Sequence, residues 1–410
     1  MRRICRTAGI GSSTFLPGTN FLCVSTVGAL VACWPTAAMG AEKTERIPRK
    51  WQPRMVLQYQ GYNQIHLPAK QQDLINPQSW GHCFIYLPDK NRLLLQTGNW
   101  QLSSDDLGAT WTKISAPPRR HLTYLGDGKV LARAWEIEQR LISEDHGETW
   151  RPLAPVPPVP GLNLVFSMGP DLVDRDPATG KVVRLAESID RHIRFSTDGG
   201  LTWPTSVAAP WSAETVMVRA GNGDIVAATR TSNNDGYIEV HGTNMPDAEK
   251  TPYDMWLVGG GFDFYCGFGV HVSKDNGQTW SPIKQLFMHG RFHASPVLMP
   301  NQDLVMSYVV RKGYDDTPEG LPQYAIEAVV SRDHGQTWNL SHRYVLDKWR
   351  GEWENQPGGK VKLMAPNESY TVLLNDGSLM TSFERGVQES DGKYYRMLKL
   401  VHWHLDKDKK

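Results

Sequence analysis

The sequence predicts an all-β fold, a six-bladed β-propeller, and three observations carry that prediction. Five segments repeat the pattern Ser-x-Asp-x-Gly-x-Thr-Trp. Upstream of most of them lies a second recurring piece, a turn with Gly or Asn followed by an apolar strand. No long amphipathic helical pattern competes with these strands. One short unit repeated at intervals of tens of residues, with strands between turns, is the sequence form of a propeller blade.

From the N-terminus, residues 1–40 read as an export signal and not as part of the fold. Arg2, Arg3 and Arg6 give a positive start, Phe21 to Trp34 is apolar, and Ala37-Ala38-Met39-Gly40 supplies small residues for cleavage after Gly40. The apolar stretch is too short to span a bilayer comfortably. Leu30-Val31-Ala32-Cys33 also reads as a bacterial lipobox, which would make Cys33 the lipidated first residue. The expected location is exported: periplasmic, secreted or held at the envelope by a lipid anchor, with no transmembrane span in the mature chain. Residues 41–410 are then expected to form one propeller.

Composition fits this division. The 410 residues include 15 Trp, 37 Gly and 27 Pro, which implies many turns and short strands. The formal charge of +1 excludes a whole-chain basic footprint, so nucleic acid is not an expected partner. Three of the five cysteines (Cys5, Cys23, Cys33) fall in the leader, leaving Cys83 and Cys266, too few for a disulfide framework. No Cys/His spacing suggests zinc, and no metal or cofactor is expected.

The five repeats are Ser104–Trp111, Ser143–Trp150, Ser196–Trp203, Ser273–Trp280 and Ser331–Trp338. Their chemistry is that of a turn. Asp and Ser side chains accept bonds from nearby backbone N–H groups, Gly supplies a positive φ, and Trp brings apolar area to bury. Asp106, Asp145, Asp198, Asp275 and Asp333 are therefore read as structural. Six blades follow, at about 80–117, 119–157, 160–208, 211–286, 291–344 and 360–405, the sixth without the Asp-containing turn. Arg54–Tyr62 is expected to add a strand to the last blade and close the ring.

This repeat is the Asp box, and six blades carrying it resemble the sialidase (neuraminidase) superfamily over nearly the whole mature chain. Two further stretches sharpen the resemblance. Glu214 to Arg230 is similar to the sialidase blade in which a Glu begins one strand and an Arg ends the next. The resemblance implies that Glu214 pairs with a nucleophilic Tyr and that Arg230 is one of three arginines holding the substrate carboxylate. Ser369 to Gly386 is similar to the C-terminal sialidase blade and makes Tyr370 the nucleophile. The gap from Tyr370 to Asp376 is one residue shorter than in that pattern. One residue reverses the facing of a strand side chain, and a bulge can restore it.

The residue types suit the chemistry implied. A carboxylate nucleophile would approach the negative charge on the anomeric carbon of a sialic acid, whereas a neutral Tyr avoids that repulsion. With a pKa of about 10 the Tyr needs a base, and an adjacent Glu supplies one. Arginine grips a carboxylate with two parallel bonds and stays charged.

The front of the chain departs from the pattern. His82 stands near the place of the first Arg, Gln96–Gln101 runs into the first Asp box without the loop that carries the acid/base Asp, and Gln323–Glu327 lacks the third Arg. The expected substitutes are Arg291, His293 and Arg311 in blade five for binding, with His82 in blade one, and Asp235 or Asp315 (beside Asp316) as acid/base. Arg133, Glu136 and Glu138 could also face the axis. An insertion at about 241–268 combines Gly259-Gly260-Gly261 with Trp256, Phe262, Phe264, Tyr265 and Phe268, suited to stacking on sugar faces.

The expected activity is that of an exported exo-α-sialidase-type glycoside hydrolase. It would remove a terminal acidic sugar from a glycan or oligosaccharide with retention, Tyr370 attacking and Glu214 taking its proton. The alternatives are a glycan-active enzyme of altered specificity, either another glycosidase or a polysaccharide lyase, and a non-catalytic carbohydrate-binding propeller.

Overall fold

A computed structural model describes residues 63–66, 70–75, 82–97, 100–114, 121–133, 139–156, 169–189, 191–211, 214–231, 267–287, 290–311, 324–349, 366–388 and 394–405. All described residues belong to one compact unit, Thr44–Lys410. The leader and Arg54–Tyr62 lie outside them. No helix among the described residues is long and apolar enough to cross a membrane.

The described residues are all-β and form six sheets, one per predicted blade. Blade one comprises His82–Leu87, Arg92–Thr97, Trp100–Ser104 and Thr112–Ile114. Blade two comprises His121–Gly126, Lys129–Arg133, Arg140–Ser143 and Arg151–Pro152. Blade three takes Leu172–Arg175, Val182–Ile189, His192–Ser196 and Thr205–Ala208; blade four takes Thr215–Arg219, Ile225–Thr231, Gly267–Ser273 and Lys284–Phe287. Blade five runs Arg291–Leu298, Leu304–Arg311, Tyr324–Ser331 and His342–Trp349, with Asn63–His66 added in parallel to its outer strand. Blade six has Ser369–Leu373, Leu379–Gln388 and Tyr394–Trp403 from the C-terminal end of the chain. Its fourth strand comes from the other end: Lys70–Ile75 pairs antiparallel with Tyr394–Trp403, from Lys70 opposite His402 to Ile75 opposite Met397.

Burial explains why these sequences make blades. The two inner strands of blade one are buried at every position, because blades pack face to face and cover both sides of an inner strand. Its outer strand and that of blade two are mostly exposed. The apolar clusters lie between blades and together span every junction of the ring. One joins blade one to blades six and two through Phe84, Leu94, Leu122, Leu141 and Leu398. Others join blades two and three, three and four, four and five, and five and six.

The Asp boxes form as their chemistry requires. In each, the Gly N–H donates to the Ser hydroxyl at 2.7–2.9 Å. The Asp carboxylate accepts from both the backbone N–H and the hydroxyl of the Thr. In four boxes the indole N–H donates to the Gly carbonyl at 3.1–3.2 Å. The fifth indole, Trp280, instead meets Trp211 edge-on with centroids 4.8 Å apart. Four of the boxes, those of blades two to five, dock their glycine on the preceding blade. At Gly335 (φ 85) a Cβ would lie 2.6 Å from a methyl of Val226 in blade four, and at Gly147 (φ 86) the same distance from Leu94 in blade one.

The turn aspartates give the fold a pH dependence. Hydrogen bonds from Thr110 and Ser104 bring Asp106 down to about 2, and those from Thr279 and Ser273 do the same for Asp275. Their stabilisation is complete above the unfolded value of about 3.9 and is lost as pH falls through the folded value. Acidification from about pH 4 to 2 is thus expected to lower the unfolding midpoint, with a shallower slope in an Asp106→Asn/Asp275→Asn variant. Equal slopes in thermal melts would refute the assignment. Asp198→Ala removes three bonds at an exposed turn, from the Ser196 hydroxyl and from the Thr202 N–H and hydroxyl, and is expected to cost about 1 kcal/mol in denaturant unfolding, leaving the fold intact.

Candidate functional site

Antiparallel alternation fixes which end of the ring carries the site. Asp-box turns join third to fourth strands, at the same end as the turns joining first to second strands. The first strands therefore begin at the opposite end, and there the sequence places His82, Thr215, Arg291 and Ser369. A narrow cavity opens among these strand starts, lined by Pro170, Glu214, His293, Ser295, Glu368 and Tyr370 from blades three to six and the segments leading into them. It offers about 20 Å³ to the centres of water molecules, on the order of one ordered water.

Tyr370 lines this cavity without any bulge: Ser369–Leu373 and Leu379–Gln388 pair in unbroken register. The shortened gap to Asp376 is accommodated in the hairpin turn, where the Leu374 N–H donates to Ser378 and the Gly377 N–H to Leu374. The Tyr370 hydroxyl donates to Glu368 Oε2 at 3.1 Å. Extended backbone puts residues two apart on one face, which is how Glu368 reaches it. Glu214, expected as the partner of Tyr370, is engaged on the other side of the cavity.

His82 stands edge-on to the Tyr370 ring, centroids 5.0 Å apart at 81°. Its Nε2 is 2.9 Å from the Ser382 hydroxyl and its Nδ1 3.8 Å from Glu384 Oε1. Expected to bind substrate, His82 is buried and braces the tyrosine from behind. Cys83, next to it, has its thiol pushed up to about 12 by burial and stays protonated.

Glu214 Oε2 accepts from Arg230 Nη1 at 2.9 Å and lies 3.4 Å from His293 Nε2. Burial alone would raise its pKa, but the charges and hydrogen bonds of Arg230 and His293 outweigh it and hold the carboxyl well below the usual carboxylate range. Arg230 also lies over the Phe292 ring, 5.0 Å from its centroid.

The strand Arg291–Leu298 slips register against Leu304–Arg311 between Phe292 and Ser295, and His293 sits in that bulge with φ 52. The other positive-φ residues other than glycine, Asn91, Leu107, Asp127, His146, Asn276, Gln302 and His334, all lie in turns. Among the described non-glycine residues, His293 alone carries this conformation inside a strand, and it lines the cavity.

The remaining predicted arginines do not face the cavity. Arg291 is buried against Glu327 at 3.3 Å, beside Arg343 and the Tyr308 hydroxyl, and lies over Phe287. Arg311 donates from Nε to the Pro366 carbonyl at 2.6 Å and from Nη2 to that of Asn367, clamping the segment that leads into Glu368. Asp235, Asp315, Asp316, Glu136, Glu138 and residues 241–266 lie outside the described residues.

Two features escaped the sequence reading. Glu368 could have been found from its i, i+2 relation to Tyr370. The buried group of Arg133, Arg140 and Arg194 around Glu187, with Asp171 3.6 Å from Arg133, carries no local signal, because its members come from different blades.

The Glu214–Arg230 pair gives a direct test. Arg230→Gln removes the largest attraction on the Glu214 carboxylate, so the Glu214 pKa should rise, as followed by carboxyl-carbon NMR titration. An unchanged titration would show that Arg230 does not set it.

Comparison with known proteins agrees with the repeat. A profile described as BNR/Asp-box repeat matches residues 271–282. A search of curated proteins finds no match. Similar solved structures include the intramolecular trans-sialidase from Ruminococcus gnavus in complex with oseltamivir carboxylate: 12% identity, 83% of this chain and 79% of that one, TM-score 0.44. The NanB sialidase from Streptococcus pneumoniae is another, at 11% identity and TM-score 0.43 over 83% of this chain, which spans only 57% of the NanB chain. YCF48 from Cyanidioschyzon merolae is also similar, at 11% identity and TM-score 0.36 over 82% of this chain and 99% of that one. Over its described residues the chain is an all-β, six-bladed propeller, and its repeat matches the BNR/Asp-box pattern.

Proposed function

We propose that this chain is an exported glycoside hydrolase that removes a terminal acidic sugar from a glycan by a retaining mechanism. The observation that carries the reading is the Tyr370 hydroxyl donating to Glu368 in a cavity shared with Glu214 and His293. Tyr370 attacks the anomeric carbon and Glu368 takes its proton, the part first expected of Glu214. A neutral nucleophile suits a sugar carrying negative charge next to the reacting carbon. Glu214, held ionised by Arg230 and His293, is a poor proton acceptor and serves to orient its partners. The cavity takes only the reacting end of the sugar, and the ring lies across its mouth. The leader directs the chain out of the cytoplasm, and the lipobox reading of Cys33 would retain it at the envelope.

One observation favours altered specificity over strict sialidase activity. Arg291 and Arg311 are spent on Glu327 and on backbone carbonyls, so Arg230 is the one predicted arginine beside the cavity. A single guanidinium holds a carboxylate less firmly than three, which suits an acidic sugar other than sialic acid.

A panel of 4-nitrophenyl glycosides of sialic acid, uronic acids and neutral sugars tests both readings. Turnover of an acidic member is expected, and Tyr370→Phe should abolish it, with a loss of roughly 10³-fold or more, while the thermal melt stays unchanged. No turnover of any member would end the hydrolase reading. Activity surviving in Tyr370→Phe would end the nucleophile assignment.

A further inference from the structure

We infer that His293 is the general acid/base of this site, working with Glu214 as a carboxylate–imidazole pair and replacing the loop aspartate expected at Asp235 or Asp315. The inference rests on the hydrolase reading above and adds to it the group that protonates the leaving oxygen.

Three independent observations converge on His293. It lines the cavity that holds Tyr370 and Glu368 but enters from blade five, so nucleophile and acid come from different strands. Its Nε2 lies 3.4 Å from Glu214 Oε2 as an ion-pair contact, and both ring nitrogens are buried without a hydrogen-bond partner among the described residues. A carboxylate beside one ring nitrogen orients the imidazole, and the residue lines the cavity where it can exchange a proton with a bound glycoside. Lastly, the residue is held at φ 52 in a strand bulge, a left-handed conformation that strains a non-glycine backbone. Bulges re-aim side chains beside active sites, and a structural histidine in a strand needs no such distortion.

The other charged groups around the ring have assigned partners. Arg230 is bound to Glu214 and stacked on Phe292, whose ring also contacts His293 at 4.8 Å. Glu368 accepts the Tyr370 hydroxyl on the far side of the cavity. Two proton-handling pairs thus share one cavity: Glu368 with Tyr370, and Glu214 with His293.

The steps balance. Tyr370 Oη forms a bond to the anomeric carbon, and its proton passes to Glu368. The glycosidic C–O bond breaks, and protonated His293 gives its proton to the departing oxygen. Neutral His293 then takes a proton from water as the water oxygen bonds to the anomeric carbon. The Tyr370 oxygen leaves and recovers its proton from Glu368. The sum is glycoside plus water giving free sugar plus alcohol.

The experiment uses the full chain and two glycosides of the sugar that the panel identifies, the 4-nitrophenyl and the methyl. Nitrophenolate leaves without protonation, whereas methoxide does not. His293→Asn, a residue that accepts left-handed backbone, should lower kcat/KM on the methyl glycoside by roughly 100-fold or more but by less than about 10-fold on the nitrophenyl glycoside. Azide should restore nitrophenyl turnover and yield the glycosyl azide, since it attacks without a general base. His293→Gly, which relieves the backbone strain, provides a second variant with the same expectation. Equal losses on both substrates, with no azide product, would overturn the role of His293 and leave the Tyr370 assignment standing. A wild-type protein that turns over neither substrate fails the hydrolase reading itself, and this inference with it.

Discussion

Closure of the ring is the constraint on which the other features depend. A propeller blade covers neither of its faces alone, and each apolar cluster in this molecule is shared between neighbouring blades. The pairing of Lys70–Ile75 with Tyr394–Trp403 joins segments more than 300 residues apart and completes blade six. Blade six then contributes Leu398 and Leu400 to the cluster it shares with blade one, and Phe383, Val401 and Trp403 to the one it shares with blade five. Burying each large apolar side chain is worth about 1.5–3 kcal/mol, so an open ring would forfeit burial at both flanking junctions. The entropic cost of so long a loop grows only with the logarithm of its length.

Closure also decides where charge can be tolerated. The first strands converge at one end of the axis, and buried carboxylates gather there, each with cations around it: Glu187 among Arg133, Arg140 and Arg194, and Glu327 with Arg291 and Arg343. A buried carboxylate stripped of its partners would be strongly destabilising; Glu187 ties blade three to blade two, whereas Glu327 and its partners all belong to blade five. Arg311 applies the same principle to the backbone, binding the carbonyls of Pro366 and Asn367 just before Glu368 and Tyr370. Arg291 and Arg311, expected as substitutes in binding a ligand, are thus bound within the strands and segments that carry the cavity residues.

What the sequence disclosed follows from the range of the interactions involved. An Asp box is complete within eight residues, so its five copies and the blade count were legible without any tertiary information. Glu214 and Arg230 belong to one hairpin, and their proximity follows from the Gly223 turn. Arg291 and Arg311 were legible as strand residues but not as to purpose, because their partners are Glu327 and backbone carbonyls more than 35 residues away. The closing strand begins Lys-Gln-Gln-Asp, a polar sequence with little of the apolar alternation by which strands are recognised. Expectation therefore fell on the more apolar Arg54–Tyr62.

The bulge at His293 shows how far a closed ring can support a local distortion. Phe292, the preceding residue, is fully buried, with Arg230 5.0 Å and Arg311 4.8 Å from its ring centroid. On the other side, Ser295 returns to register opposite Ser307, and its hydroxyl accepts from the Thr371 N–H of blade six. The distorted residue is thus pinned from both directions by contacts that exist only when blades four, five and six are assembled. Strain of this kind persists where surrounding packing over-determines it. Here that packing is the same interblade contact that holds Tyr370 and Glu214 on one cavity, so the ring's stability and the geometry of the site rest on a common set of side chains.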